Sequence, residues 1–485
     1  MTIEELKDKL KNIQNLKCET QNLELKSARE GCPKKLYDTL SAFSNQDDGG
    51  VIVFGIDEKN DYEVCGVYDP QDLQKKVNEQ CLQMSPVVRP LFTVLETDEK
   101  CVVSAEIPAI DVADRPCYYS GVGRIKGSYI RVGDSDEHMT EYEIYSFEAF
   151  RKKHQDDIRA VPRASFNVLN SEKLNAYMER IKNGKPNLAR LSETDIYELI
   201  GITRNGEITL SSTQLFGLYP QAFFPQICIT AVVVPGTEIG QLGARGERFT
   251  DNKRIEGTIP EMLDGAMDFI DRNMRNITII NPNTGKREDQ RDYPVTAVRE
   301  AVINALVHRD YSEYTESMPI QILMFSDRME IRNPGGLYGR IGIEQLGKTQ
   351  PDTRNPVLTS ALEVLGITEN RYSGIPVIRQ TMREYGLPEP EFAVERGNFV
   401  VRFYNEVKQD KNVLIKNDDE TEQLLIFCQT PRTRKEISEY LGLTSTTYAI
   451  QKYVMPLVDQ GLIKLSIPDK LGSPKQLFST AKDRV

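Results

Sequence analysis

The sequence predicts a multidomain α+β chain, and three stretches carry that prediction. Thr296–Asp310 (TAVREAVINALVHRD) reads as an amphipathic helix, because Val298, Ala301, Val302, Ala305 and Leu306 recur at three- and four-residue steps. Gly49-Gly50 turns into Val51–Ile56 (VIVFGI), a continuous apolar strand of the kind that lies centrally in a sheet. Asn405–Glu422 is polar and charge-rich, which makes it a linker before a separate final unit. At 485 residues the chain has room for about two to four domains.

Taken in order, residues 2–16 read as a charged helix with no secretory apolar core. Leu23 and Leu25 alternate with Glu24 and Lys26 in a strand-like run. Helices are expected at Lys34–Asn45 and Leu73–Met84, and paired strands at Leu91–Glu96 and Val102–Ile107. A strand at Ser128–Gly133 and a helix at Glu141–Lys153 close a first unit, residues 1–155. The central unit, residues 156–405, should hold helices at Ser171–Lys182, Ser192–Leu199, Met262–Asn276 and Pro376–Tyr385, with strands at Ile227–Val234 and Asn398–Phe403. Ile320–Phe325 and Arg328–Arg332 form a hairpin around a Ser-Asp turn, broken by Asn333-Pro334-Gly335-Gly336. After a linker at 406–422, residues 423–485 follow the pattern of a winged helix-turn-helix, with Thr433 and Glu436 as a capping box. Its recognition helix would present Thr446, Thr447, Tyr448, Gln451 and Lys452 to DNA, although winged helices with so few cations also serve as protein contacts.

Composition narrows the function. A formal net charge of −11 argues against a generally basic nucleic-acid binder and leaves a local basic patch open. No apolar run approaches the ~18 residues of a membrane span. The eight cysteines contain no CxxC pair and read as reduced thiols of an intracellular, cytoplasmic protein. With three histidines, any metal site has to be built from carboxylates, which suits Mg²⁺ or Mn²⁺.

Glu300, Asn304 and His308 sit four apart on one face of the Thr296–Asp310 helix. A carboxylate can orient or deprotonate a water, an amide oxygen is a hard ligand for Mg²⁺, and an imidazole can contact phosphate, so a nucleotide with its magnesium ion would satisfy all three. An ordinary solvated helix face would have the same pattern. The glycine pair at Gly335-Gly336 and the small loop Arg371–Pro376 (RYSGIP) before a helical run add backbone that can approach a ligand closely. This order of Glu-Asn-His helix, hairpin, NPGG loop and SGIP loop resembles the divergent GHKL-type ATP-binding fold of RecG-like, AAA-4-type bacterial proteins. The resemblance implies an α/β sandwich with an ATP pocket. In it Glu300 would be the water-activating base, Asn304 the Mg²⁺ ligand, His308 a further contact, and Asn333, Gly335, Gly336 and Gly374 the nucleotide lining. Such domains often pair, so the resemblance also implies a homo-oligomer. Where the family carries an aspartate that reads the adenine amino group, this chain has Asn333, which leaves open both adenine selectivity and hydrolysis.

In the first unit, ETQNLELKSA, LSAFSNQDDGGVIVFGIDE and GSYIRVGD together resemble the Schlafen-type AlbA domain, a nucleic-acid-binding mixed-sheet module, across roughly residues 15–150. In members with RNase activity, three carboxylates hold a divalent metal. The resemblance carries that role to Glu19, Glu24 and Asp57, with Lys26 steadying a scissile phosphate. Three converging carboxylates repel unless a cation sits among them. Read without the resemblance, Glu19 and Asp57 are surface charges and Glu24 pairs with Lys26. Arg115, Arg124, Lys126 and Arg131, interleaved with Tyr118, Tyr119 and Tyr129, offer cations and stacking platforms for a nucleic-acid strand.

Two functions follow. One is a metal-dependent RNA nuclease gated by ATP, suited to stress or phage defence. The other is an ATP-responsive DNA-binding regulator without nuclease chemistry.

Overall fold

The computed structural model describes residues 1–97, 100–280, 287–368, 373–405, 424–441, 450–459, 462–466 and 476–480. Helix α1 (Ile3–Leu16) starts on a capping box in which Thr2 and Glu5 satisfy each other's backbone N–H groups. It buries Leu6, Leu10 and Ile13. There follow β1 (Leu23–Lys26), α2 (Tyr37–Asn45), β2 (Gly50–Phe54), the short strands β3 (Ile56–Asp57) and β4 (Glu63–Val64), and α3 (Pro70–Cys81). Then come β5 (Met84–Ser85), β6 (Leu91–Thr97), β7 (Lys100–Ile107), β8 (Tyr118–Tyr119), α4 (Gly123–Gly127), β9 (Tyr129–Val132), β10 (Ser135–His138) and α5 (Glu141–Arg151).

The main sheet of this part runs β1-β2-β7-β6, so the continuous apolar strand β2 is interior, as its sequence demands. β1 and β2 are parallel, with Leu23 opposite Val51. One face of the sheet packs Leu23, Leu25 and Val53 on α1. The other packs Ile52 and Phe54 on Leu40, Phe43, Leu73 and Val77 from α2 and α3. Side-chain alternation therefore turns Glu24 away from the α1 core. α3 begins three residues before the predicted start because Asp69 accepts the N–H groups of Gln71 and Asp72, with Pro70 in the first turn.

The central part contains α6 (Ser171–Gly184), α7 (Glu193–Leu199), β11 (Thr203–Arg204), β12 (Glu207–Ile208), α8 (Leu210–Phe216), β13 (Ile229–Val233) and β14 (Asp251–Ile255). It continues with α9 (Ile259–Asn273), β15 (Asn276–Ile280), β16 (Arg287–Arg291), α10 (Val295–His308), β17 (Ile320–Met324) and β18 (Arg328–Pro334). α11 (Pro356–Val364), α12 (Gly374–Glu384), β19 (Glu391–Glu395) and β20 (Asn398–Tyr404) complete it. The six-stranded sheet has the order β14-β13-β17-β18-β20-β19. β13 and β17 are parallel and every other pair is antiparallel. Ile229, Ile322, Ile331, Val401 and Phe403 share one core with Phe269, Val298, Val302, Ile378 and Met382 of α9, α10 and α12. On the strands' other face Glu330, buried, is ringed by Arg328, Arg332 and Arg402.

The final part has a small core of Leu424, Cys428, Ile437, Ile450, Val454, Leu457, Ile463 and Phe478. A helix at Arg434–Tyr440 and one at Met455–Asp459 accompany a three-stranded antiparallel sheet of Arg432–Thr433, Leu477–Thr480 and Ile463–Leu465. Thr446, Thr447, Tyr448 and the 406–422 linker lie outside the described residues, as do the side chains of Gln451 and Lys452. The eight cysteines are free thiols. Among the described residues no helix is long and apolar enough to cross a membrane.

Candidate nucleotide pocket and acidic cluster

α10 places its apolar stripe against the sheet and its polar stripe toward a cavity of about 400 Å³. Glu300, Asn304 and His308 line that cavity together, and Ile331, Phe399 and Val401 of the sheet form an apolar floor. Asn304 Nδ2 donates to Glu300 Oε1 at 3.3 Å. α12 starts against this pair. A Cβ on Gly374 would lie 2.5 Å from Glu300 Oε1 and 2.8 Å from Asn304 Nδ2, so glycine is what allows the two helices to approach. Asn333, from the end of β18, is only 4% exposed, and its Oδ1 has no hydrogen-bond partner among the described residues. A buried acceptor left open in a cavity wall is exceptional in a folded protein, where such groups are nearly always paired. Gly336 lines the cavity. Gly335 does not: with φ +100° it makes the turn behind the wall, where a Cβ would meet Arg354 Nη1 and Asp310 Cβ at 2.6 Å each.

His308 is exposed to the cavity, yet protein atoms crowd around its ring. That crowding, and then the charge of Arg354, lower its pKa to about 4. The imidazole is therefore neutral at pH 7 and offers one donor and one acceptor. Arg354, Tyr338 and Asp352 also line the cavity. Sequence reasoning missed all three, because the segment from 337 to 355 has neither apolar periodicity nor a motif.

In the first module, Glu19 and Glu24 do converge, but on a guanidinium. Arg131 Nη1 lies 2.9 Å from Glu24 Oε2 and 2.9 Å from Asp136 Oδ1, and Nη2 lies 3.6 Å from Glu19 Oε2. The Arg131 side chain is 1% exposed. Its Nη2 also donates to the Leu23 carbonyl, and Thr39 donates to Asp136 at 2.6 Å. Lys26 pairs with Glu24. Burial, joined by the charges of Glu24 and Glu58, raises the Glu19 carboxyl to about 7, against the Leu25 N–H and Lys26. Asp57 is not in this group; its carboxylate accepts the Lys59 N–H at 3.1 Å and caps a short turn. Among the described residues no group of three or more His, Cys, Asp or Glu is placed to hold a metal ion. Glu19 and Glu24 thus share Arg131 with Asp136, while Asp57, the third expected carboxylate, caps its own turn.

Residues 19–140 match the family model "Schlafen, AlbA_2", and residues 317–403 match "Putative ATP-dependent DNA helicase recG C-terminal". The N-terminal module is thus similar to the Schlafen AlbA_2 family over residues 19–140. The second match covers β17 to most of β20, the part of the RecG C-terminal-type module that carries Asn333, Gly336 and Gly374. Among solved structures the chain is similar to the DIP2311 protein from Corynebacterium diphtheriae, at 17% identity over 95% of this chain and 92% of that one, with a TM-score of 0.39. It is also similar to the N-terminal domain of "Putative ATP-dependent DNA Helicase RecG-related Protein" from Nitrosomonas europaea, at 28% identity over 27% of this chain and 92% of that one, with a TM-score of 0.23. No curated protein matches the chain.

Within the Schlafen AlbA_2 module the four predicted cations separate into two kinds. Arg115 is buried, paired with Asp47 at 2.8 Å and bonded to the carbonyls of Ile110 and Gln46. Its guanidinium is buried like that of Arg131, but its partner Asp47 is exposed, so the pair lies at the surface edge and Arg115 is not a displayed cation. Arg124, partly exposed, pairs with Glu148, and Lys126 is exposed. Tyr119 stacks on Tyr37 at 4.4 Å, and Tyr129 packs on His138 at 4.3 Å. The signal for Arg131 was its cross-strand pairing with Asp136 around the Gly133 turn.

Proposed function

We propose that this chain is an ATP-responsive nucleic-acid-binding protein: the cavity on α10 takes the nucleotide and the Schlafen AlbA_2 module contacts the nucleic acid. The observation that carries the reading is the buried, unpartnered Asn333 Oδ1 in a cavity of about 400 Å³, a size suited to a small-molecule ligand. A side-chain amide can accept from the amino group of adenine and donate to a ring nitrogen, so Asn333 suits the base. The apolar floor of Ile331, Phe399 and Val401 suits its ring face.

A magnesium ion fits the Glu300–Asn304 pair. The amide oxygen and a carboxylate oxygen would hold it, with the rest of its shell left to phosphate oxygens and water. Bound there, it would neutralise phosphate charge. Neutral His308 can donate a hydrogen bond beside it. A metal does not fit the acidic cluster of the first module, where Arg131 already serves as counter-charge to Glu19, Glu24 and Asp136. That arrangement favours binding without metal-dependent cleavage over the ATP-gated nuclease.

The test is one series on the purified full chain. Calorimetry measures ATP binding with Mg²⁺. Fluorescence anisotropy measures labelled tRNA and duplex DNA with and without ATP, and a gel follows both with Mn²⁺ beside a Glu24→Ala control. ATP binding that shifts nucleic-acid affinity, with no cleavage, supports the reading. Metal-dependent cleavage lost in Glu24→Ala would replace it with the nuclease, and absence of ATP binding would sink both.

A further inference from the structure

The described residues that line the cavity all belong to the central part, from Thr296 to Val401. α5, which follows the matched residues 19–140 and pairs with them through Glu148 and Arg124, backs that wall. Tyr142 donates from its hydroxyl to Asp310 Oδ2 at 2.7 Å, and the same carboxylate oxygen is 2.8 Å from Arg354 Nη1. The Arg354 and Asp310 side chains are 6% and 5% exposed. Arg354 Nη2 donates to the Gly336 carbonyl at 3.2 Å, and the guanidinium lies 5.1 Å from the centre of the Tyr338 ring. Tyr338 in turn packs edge-on against Phe150, two helical turns along α5 from Tyr142, with ring centres 5.4 Å apart. Burial alone would raise the Asp310 carboxyl; Arg354, Tyr142 and Ser312 outweigh it and hold it below the usual carboxylate range.

Of the described residues lining the cavity, Arg299 and Arg354 carry fixed positive charge. Arg299 is exposed, and His308 is neutral. Arg354 is thus the buried cation of the wall. It has five N–H donors in a fork matched to phosphate oxygens, and the Asp310 and Gly336 contacts leave part of that set for a ligand. An arginine held on one side by a buried carboxylate is pre-oriented, so less side-chain entropy is lost when an anion arrives.

We propose that Arg354 receives the phosphates of the nucleotide and that Tyr142, on the helix that directly follows the Schlafen AlbA_2 match, is a positioning residue that orients Arg354 through Asp310. The proposal rests on the nucleotide reading of the cavity. It makes the phosphate end of the site depend on the seating of α5, so nucleotide occupancy and the position of the Schlafen AlbA_2 module are linked, each biasing the other by the same factor.

The experiment is calorimetric titration of the full chain with adenosine and with ATP and Mg²⁺, for wild type, Tyr142→Phe and Arg354→Lys. Tyr142→Phe keeps the ring and removes one hydroxyl. Its ATP affinity should fall by about 3- to 10-fold, the size of one ordinary hydrogen bond because the effect reaches the ligand only through Asp310 and Arg354, while adenosine affinity stays within about twofold. Arg354→Lys keeps the charge without the fork and should weaken ATP more than adenosine as well. A general structural defect would shift both ligands together. Equal shifts, or no shift, in Tyr142→Phe would overturn the proposal. Failure of the wild type to bind either ligand would overturn the nucleotide reading first and the proposal with it.

Discussion

Gly374→Ala separates the pocket from the fold. The new Cβ would stand 2.5 Å from Glu300 Oε1 and 2.8 Å from Asn304 Nδ2, where ordinary contact requires about 3.5 Å. Both colliding atoms are side-chain ends, so they can retreat by roughly 1 Å without moving backbone. Alanine at this first position of α12 gains up to about 1 kcal/mol of helix propensity. The gain offsets much of the roughly 1–3 kcal/mol that overpacking costs. Stability should therefore change by no more than about 1 kcal/mol. Ligand binding has no such offset. Two polar groups displaced at about 0.5–1.5 kcal/mol each remove about 1–3 kcal/mol, which is roughly a 5- to 150-fold loss of affinity for ATP with Mg²⁺. Calorimetric titration beside a thermal melt reads both quantities. Gly184→Ala, where a Cβ meets nothing within 4 Å, is the control. A folded Gly374→Ala protein with wild-type ATP affinity would refute the placement of the nucleotide between α10 and α12.

Three further outcomes are expected. Arg131→Met leaves buried Glu24 and half-buried Asp136 without their shared guanidinium and should destabilise the first module by about 3–5 kcal/mol in urea denaturation. Glu19 keeps its proton up to about pH 7 in the folded chain against an ordinary value of 4.5. The folded state then binds more protons than the unfolded one between those limits, so this contribution is present below about pH 4.5 and lost as pH rises through about 7. Urea midpoints compared at about pH 5 and about pH 8 should fall less in Glu19→Gln than in wild type. Asn333→Ala removes an amide whose Oδ1 has no protein partner to lose, so ATP affinity should drop about tenfold with little change in melting temperature. A melting shift without an affinity loss would make Asn333 a structural residue.

How much of this was legible depends on how far apart the partners lie. The α10 stripes could be read directly, since helical spacing alone puts Glu300, Asn304 and His308 on one face. β2 was equally plain, because a strand apolar on both faces has to be interior. Helix starts were misplaced by three residues at α3 and α9, where the capping residues Asp69 and Thr258 lie four residues before the expected starts at Leu73 and Met262. The Tyr142–Asp310 bond joins residues 168 apart and has no local signature. Arg115 and Arg131 show the other limit. A cation looks the same in a sequence whether it faces solvent or is buried in an ion pair, and only the fold reveals that Asp47, Glu24 and Asp136 are waiting.

The parallel pairing of β13 with β17 has a consequence for how the protein is made. Thr230 is bonded to the Ile320 carbonyl across 90 residues of intervening chain. At about 5–20 residues per second, roughly 5–20 s of synthesis separate the emergence of β13 from that of its neighbour. For that interval Ile229, Ala231 and Val233 form an apolar strand whose inner edge has no native partner, a target for mispairing or for a chaperone. The same topology sets where the chain can be cut. A fragment trimmed to residues 317–403 would begin at β17, discard β13, β14 and α10, and leave Asn333 and Gly374 without Glu300, Asn304 and His308.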